Sequence, residues 1–259
     1  MPVLLILLLT VAGWSFTAQA SAFGDLGHRT VGAIVDAQLT SETRAAVGTL
    51  LRSGETLATV ATWPDEVKRA KKNVGPLAHD AGAQRFNEAF PDNREWHYVD
   101  LPLDTDAYRE GAVGSRHNDI VRTIQRCILV IESTTVADHE MTRVQALRWL
   151  VHLLGDLHQP LHLGSGYYRF DAQRQAHLIT DPQEAARKAG DHGGTLLFSA
   201  AEEQLHALWD DRLVNEVAKG RSYLEVAQGL VAEGHQPAWD GSGSYHEWVE
   251  QWAVESIRL

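Results

Sequence analysis

Along most of the chain, apolar positions recur at helical spacing and seldom alternate. After Gly27, the residues Val31, Ile34, Val35 and Leu39 predict one helix, and a second is expected from Ser41 to Leu51. Pro64 stands where a first-turn proline is tolerated, just ahead of a helical stretch from Asp65 to Lys72. Asn118 is expected to cap a helix carrying Ile120, Val121, Ile124, Ile128 and Ile131. Val144 to Gln159 makes another, stopped by Pro160. Ser199 with Glu202 and Ser244 with Glu247 read as capping boxes of two later helices, with an amphipathic stretch from Tyr223 to Glu233 between them. Extended pieces are expected near Trp96 to Leu101 and Tyr168 to Ile179, with a short helix after Asp181-Pro182. No repeat, low-complexity tract or linker interrupts the pattern. It predicts a single all-α domain with long connecting loops and little strand.

The N-terminus departs from this pattern. Val3 to Leu9 is an unbroken apolar run, followed by Ala20-Ser21-Ala22, which reads as a secretory signal peptide over residues 1–22, cut after Ala22. The run falls short of the roughly 20 apolar residues that a membrane span needs. An uncleaved anchor is the alternative. Cleavage leaves residues 23–259 as one domain headed by Phe23, secreted or periplasmic, monomeric and without stable membrane association. Cys127 is the single cysteine, so no intramolecular disulfide is available despite the export signal. A formal charge of −11 argues against a broad basic surface for gripping duplex DNA. The thirteen histidines point instead to positive charge supplied by metal.

The strongest chemical signal lies in Trp149-Leu150-Val151-His152-Leu153-Leu154-Gly155-Asp156-Leu157. A helix apolar nearly all round is buried. His152 and Asp156, four apart, project from one face of it into the interior. A buried carboxylate is costly unless it is paired or bound to metal. His162 follows just past Pro160 and can turn back toward the same place. The plain alternative is a hydrogen-bonded His–Asp core pair with His162 on the surface. The same spacing recurs in His206 and Asp210, and imidazole with carboxylate on one helical face suits zinc. His28 opens the first helix. Asp65 sits in a first turn, where it could merely satisfy the helix dipole. An alternating strand would present His97 inward. Together these residues supply nitrogen and oxygen donors for more than one zinc ion.

The order of these motifs resembles the S-one/P-one nuclease family, zinc-dependent single-strand-specific nucleases related in fold to bacterial zinc phospholipase C. Phe23-Gly24-Asp25-Leu26-Gly27-His28, Trp63-Pro64-Asp65, Trp96-His97-Tyr98-Val99-Asp100, His152 to Asp156 with His162, and His206 to Asp210 follow in family order. The resemblance implies three zinc ions per chain. One is held by Asp65, His97 and His152. The second takes His28, the bridging Asp156, and the main-chain amino nitrogen and carbonyl oxygen of Phe23. The third takes His162, His206 and Asp210. It further implies a catalytic part for Asp65, Asp156 and Lys68, a base stacked on Tyr98, and hydrogen bonds from a base edge to Asp100. Ordinary strand packing is the alternative for Tyr98 and Asp100.

The chain departs from the family pattern in several places. Phe23 stands where the family typically has Trp, and Lys68 where it usually has Arg. Thr195 ends what resembles a Gly-Gly-Asn element in Gly193-Gly194-Thr195, and an insertion over 165–190 follows a metal ligand directly. The activity implied is hydrolysis of single-stranded DNA or RNA and 3′-nucleotides to 5′-phosphate products. Two rivals are a phospholipase C on the same scaffold, disfavoured by Asp at position 210, and a non-catalytic zinc-binding protein.

Overall fold

The computed structural model describes residues 24–133, 141–233 and 243–258, so Phe23 and the expected signal peptide lie outside the described residues. The helices are α1 (Asp25–Gln38), α2 (Ser41–Gly48), α3 (Leu57–Val60), α4 (Trp63–Ala70), α5 (Ala81–Ala89), α6 (Ile120–Glu132), α7 (Arg143–Leu157), α8 (Pro182–Ala185), α9 (Leu205–Ala207), α10 (Leu213–Ala218), α11 (Tyr223–Ala232) and α12 (Tyr245–Ile257). Single 3₁₀ turns run over Asn93–His97 and Pro160–His162, and a π turn at Leu208–Arg212 joins α9 to α10. Strand is confined to two small pairs. β1 (Leu101–Pro102) lies parallel to β2 (Gly164–Ser165), and β3 (Tyr168–Phe170) forms an antiparallel hairpin with β4 (Ala176–Leu178). The fold is all-α, as the periodicity predicts. No helix among the described residues is long and apolar enough to cross a membrane.

Helix α7 is the axis. A capping box of Thr142 and Gln145 opens it, and Trp149, Leu153 and Leu157 are fully buried. Burial of each leucine contributes about 2 kcal/mol. Helix α6 packs along it through Ile120, Val121, Ile124 and Cys127. Beside them Phe86, Trp96 and Trp149 form an aromatic cluster, with the two indole centroids 4.8 Å apart. Helix α1 reaches α3 closely only because position 32 is glycine. A Cβ on Gly32 would lie 2.6 Å from the Ala58 backbone.

Several expected boundaries shift. Asp119, not Asn118, caps α6: its buried carboxylate accepts from the backbone N–H of Arg122 at 3.1 Å and of Arg116 at 2.9 Å. Asn118 turns its amide to Glu95 instead. Ser199 and Glu202 open no helix. Ser199 N–H donates to Glu203 O, Glu202 has φ 61°, and the pair closes a tight turn before α9. Trp96 and His97 lie in a 3₁₀ turn, and strand begins only at Leu101. The Ser244–Glu247 box opens α12 as expected.

Candidate metal centre

Six stretches of the chain deliver eight side chains to one place. From α7 come His152 and Asp156, both fully buried, because the helix carries apolar side chains on every other face. Helix α1 adds His28, the first turn of α4 adds Asp65, and the 3₁₀ turn at Asn93–His97 adds His97. His162 comes from the turn after α7. His206 and Asp210 come from α9 and the π turn that follows it. Such π turns are rare and concentrate at functional sites. These residues fall into three groups whose ligand atoms lie within 4.8 Å of one another: His28, His152 and Asp156; Asp65, His97 and His152; and His162, His206 and Asp210.

Asp156 is the hub. Ring nitrogens of His97 (2.9 Å), His152 (3.1 Å), His28 (3.3 Å) and His162 (3.3 Å) surround its two oxygens. Protons alone satisfy this packing poorly. His152 Nδ1 lies 2.7 Å from the carbonyl of Ala61, which only accepts, so the neutral ring turns its Nε2 lone pair inward. That lone pair stands 3.0 Å from His97 Nδ1. In either neutral tautomer His97 keeps Nε2 buried without a hydrogen-bond partner. The same is true of both ring nitrogens of His162 and of Asp210 Oδ2. His206 donates from Nδ1 to the carbonyl of Gly193 at 2.8 Å, so its Nε2 lone pair faces Asp210 Oδ2 at 3.2 Å. Each unpartnered buried group costs about 1–3 kcal/mol. A cation shared among them removes that cost. Imidazole and carboxylate without thiolate, with outer nitrogens anchored on carbonyls, is a donor set that fits zinc.

The titration directions agree. Burial pushes His97 down to about 3, with Lys68 adding to the effect, and burial likewise lowers His152. Burial opposes ionisation of Asp65, yet the Lys68 ammonium 2.5 Å away and the neighbouring imidazoles hold its carboxyl below the usual range. Burial also works against Asp156, and His152, His162 and His28 hold it well below that range. Neutral His97 and His152 beside ionised carboxylates is the protonation state that ligation requires. His162 behaves oppositely: burial disfavours its charge, but Asp156 and Asp210 raise it to about 10.

The metal-free protein should respond to pH through His162. A raised folded value stabilises below the unfolded value of 6.5 and loses that stabilisation as pH rises toward about 10. The melting temperature of the metal-free form should therefore fall across that window. Zinc, replacing the proton on His162, should flatten the profile. A metal-free profile already flat from 6.5 to 10 would contradict the placement of His162.

Beside the donor groups, Tyr98 is half-buried and the Arg116 guanidinium carbon lies 5.0 Å from its ring centroid. Arg116 Nη2 donates to Asp100 Oδ2 at 2.7 Å, and Ser165 Oγ donates to Asp100 Oδ1 at 2.7 Å. Both carboxylate oxygens of Asp100 thus already accept a hydrogen bond. Residues 165–190 include the β3–β4 hairpin and α8, with Tyr167, Ile179 and Ala185 packed together against Val113 and Phe170 exposed.

A family model described as S1/P1 Nuclease matches residues 23–259. The chain belongs to the S1/P1 nuclease family. Among its relatives, Endonuclease 4 of Arabidopsis thaliana is 29% identical over 225 residues, covering 84% of this chain and 63% of that protein. Nuclease S1 of Aspergillus oryzae is 25% identical over 212 residues, covering 80% and 59%. Endonuclease 3 of Arabidopsis thaliana is 28% identical over 201 residues, covering 75% and 55%. The chain therefore spans less than two thirds of the length of these relatives.

Within this S1/P1 family member, the structure gathers all eight described donor residues singled out in the sequence, and it adds three groups that the sequence did not reveal. Arg116 covers Tyr98, Gln159 donates to Asp210 Oδ1 at 2.7 Å, and Ser165 joins Asp100 to Gly193. No spacing signals Arg116 or Ser165. Gln159 had one available signal, its place between His158 and Pro160 beside His162.

Proposed function

We propose that this chain is a zinc-dependent phosphoesterase that hydrolyses single-stranded DNA or RNA and 3′-nucleotides, leaving 5′-phosphate products. Membership of the nuclease family supports the reaction class, and the convergence of four imidazoles on the buried Asp156 supports the metal. Asp65, His97 and His152 would hold one ion. His28, the bridging Asp156 and the Phe23 main chain would hold a second, and His162, His206 and Asp210 a third. Bound zinc supplies an activated water near neutral pH and stabilises charge at the phosphoryl group.

The chain's own residues do the rest. Asp156 places one buried negative charge among the rings of His28, His97, His152 and His162, where it would balance a bound cation. Lys68, partly exposed, balances Asp65 and presents an ammonium to a substrate phosphate as a point charge. Tyr98 offers a ring to a base, with Arg116 and Asp100 beside it. Three zinc ions would bring the formal charge of −11 to about −5, with the positive part at the cleft, which disfavours duplex binding. Residues 1–22 would be removed on export, leaving a secreted or periplasmic monomer.

Single-stranded DNA should be cleaved much faster than duplex of the same sequence. Tyr98→Ala should weaken oligonucleotide binding by about 1–3 kcal/mol, seen in KM, because a stacked base contributes that much. Hydrolysis of a small base-free phosphodiester should change little. An equal loss on both substrates would make Tyr98 a packing residue only.

A further inference from the structure

Two segments that carry proposed functions lie side by side. Val99 N–H donates to His162 O at 2.8 Å, Leu101 N–H donates to Leu163 O at 2.9 Å, and β1 then pairs with β2. That register pairs Ser165 with Pro102, and the Ser165 side chain, 1% exposed, reaches back to Asp100 Oδ1 at 2.7 Å. Its hydroxyl has an unambiguous polarity. The carboxylate of Asp100 only accepts and the Gly193 N–H only donates, at 2.8 Å, so Ser165 donates to Asp100 and accepts from Gly193. The carbonyl of Gly193 in turn accepts the Nδ1 proton of His206.

Position 193 admits only glycine. Its φ is +60°, and a Cβ there would lie 1.9 Å from the carbonyl oxygen of Leu161 and 3.3 Å from His206 Nδ1. The same residue carries the carbonyl that accepts from His206, so the loop at Gly193 and the His206 ring are tied through that hydrogen bond. The tie runs from Asp100 through Ser165 and Gly193 to His206, and its links are buried up to the histidine.

We infer that Ser165 is a positioning residue whose hydroxyl sets the stance of His206 and couples the Tyr98/Asp100 side of the cleft to the third donor group. This rests on the proposed reading that His162, His206 and Asp210 hold an ion. A carbonyl that accepts the outer N–H of a ligating histidine is worth about 10–100-fold in metal affinity, and Ser165 holds the residue that carries it. A residue that merely fills space would lower the melting temperature without singling out one ion.

The test is a zinc titration of the full processed chain against a competing chelator, for the wild type, Ser165→Ala and His206→Ala. Ser165→Ala should keep two ions at wild-type affinity and hold the third about 10–100-fold more weakly. Its kcat on a single-stranded oligonucleotide should be low at stoichiometric zinc and recover with excess zinc. If Ser165→Ala does not fold, Ser165→Cys, nearly the same size but a weak donor, is titrated in its place and should show the same selective weakening. Three ions at wild-type affinity in the Ser165 variant, or all three weakened equally, would overturn the inference. His206→Ala separates this from failure of the underlying reading: that variant must lose one ion, and if it keeps all three the donor group itself is misassigned.

Discussion

Asp156→Asn is expected to lower kcat/KM on single-stranded DNA by on the order of a thousandfold, about 4 kcal/mol of transition-state stabilisation, and to release bound zinc. The substitution conserves volume, so no cavity confuses the outcome. What it removes is the charge around which His28, His97, His152 and His162 gather within 3.3 Å. An amide also brings N–H donors that compete for the imidazole lone pairs. Loss of one partner from a buried charged cluster commonly costs about 3–5 kcal/mol, so the variant should also melt earlier. Zinc content and steady-state rates on the purified variant check both effects. A variant with wild-type zinc content and turnover would remove Asp156 from the centre of the site.

Removal of metal should be nearly as severe. Incubation with a strong chelator should abolish cleavage and lower the melting temperature by about 5–10 °C for each ion lost. An ion at a hundred times its dissociation constant stabilises the fold by about 2.7 kcal/mol, and a chain of this size shifts by about 2–4 °C per kcal/mol. The fold itself should survive, because Trp149, Leu153, Leu157 and the packing of α6 on α7 do not depend on the ions. Re-addition of zinc should restore both activity and melting temperature. Full activity in the chelated protein would contradict the metal dependence.

The heart of the site was legible because one helix carries it. In α7 the apolar residues run all round the axis, so the polar pair His152 and Asp156, one turn apart, had to meet other groups inside. His97 does face inward, as expected, but from a 3₁₀ turn and not from a strand. The stretch from Trp96 to Asp100 alternates like a strand, yet Asn93 donates to Asn87 Oδ1 and to Phe90 O and holds Asn93–His97 in a tight turn. Helix α5 escaped detection because it buries only Ala83 and Phe86, too few apolar positions to show a period. The Ser165 junction was illegible for a different reason. It joins residues 65 positions apart through a two-residue parallel pairing, and no local spacing encodes such a contact.

If three buried donor groups hold zinc ions that act together on a phosphoester, loading them in steps should show it. Metal-free protein beginning at Phe23 is titrated with zinc, and cleavage of a single-stranded oligonucleotide is followed at each addition. Little cleavage is expected at one equivalent, a steep rise as the later ions bind, and a plateau at three equivalents. Full cleavage before any zinc is added, or a plateau at one equivalent, would contradict it.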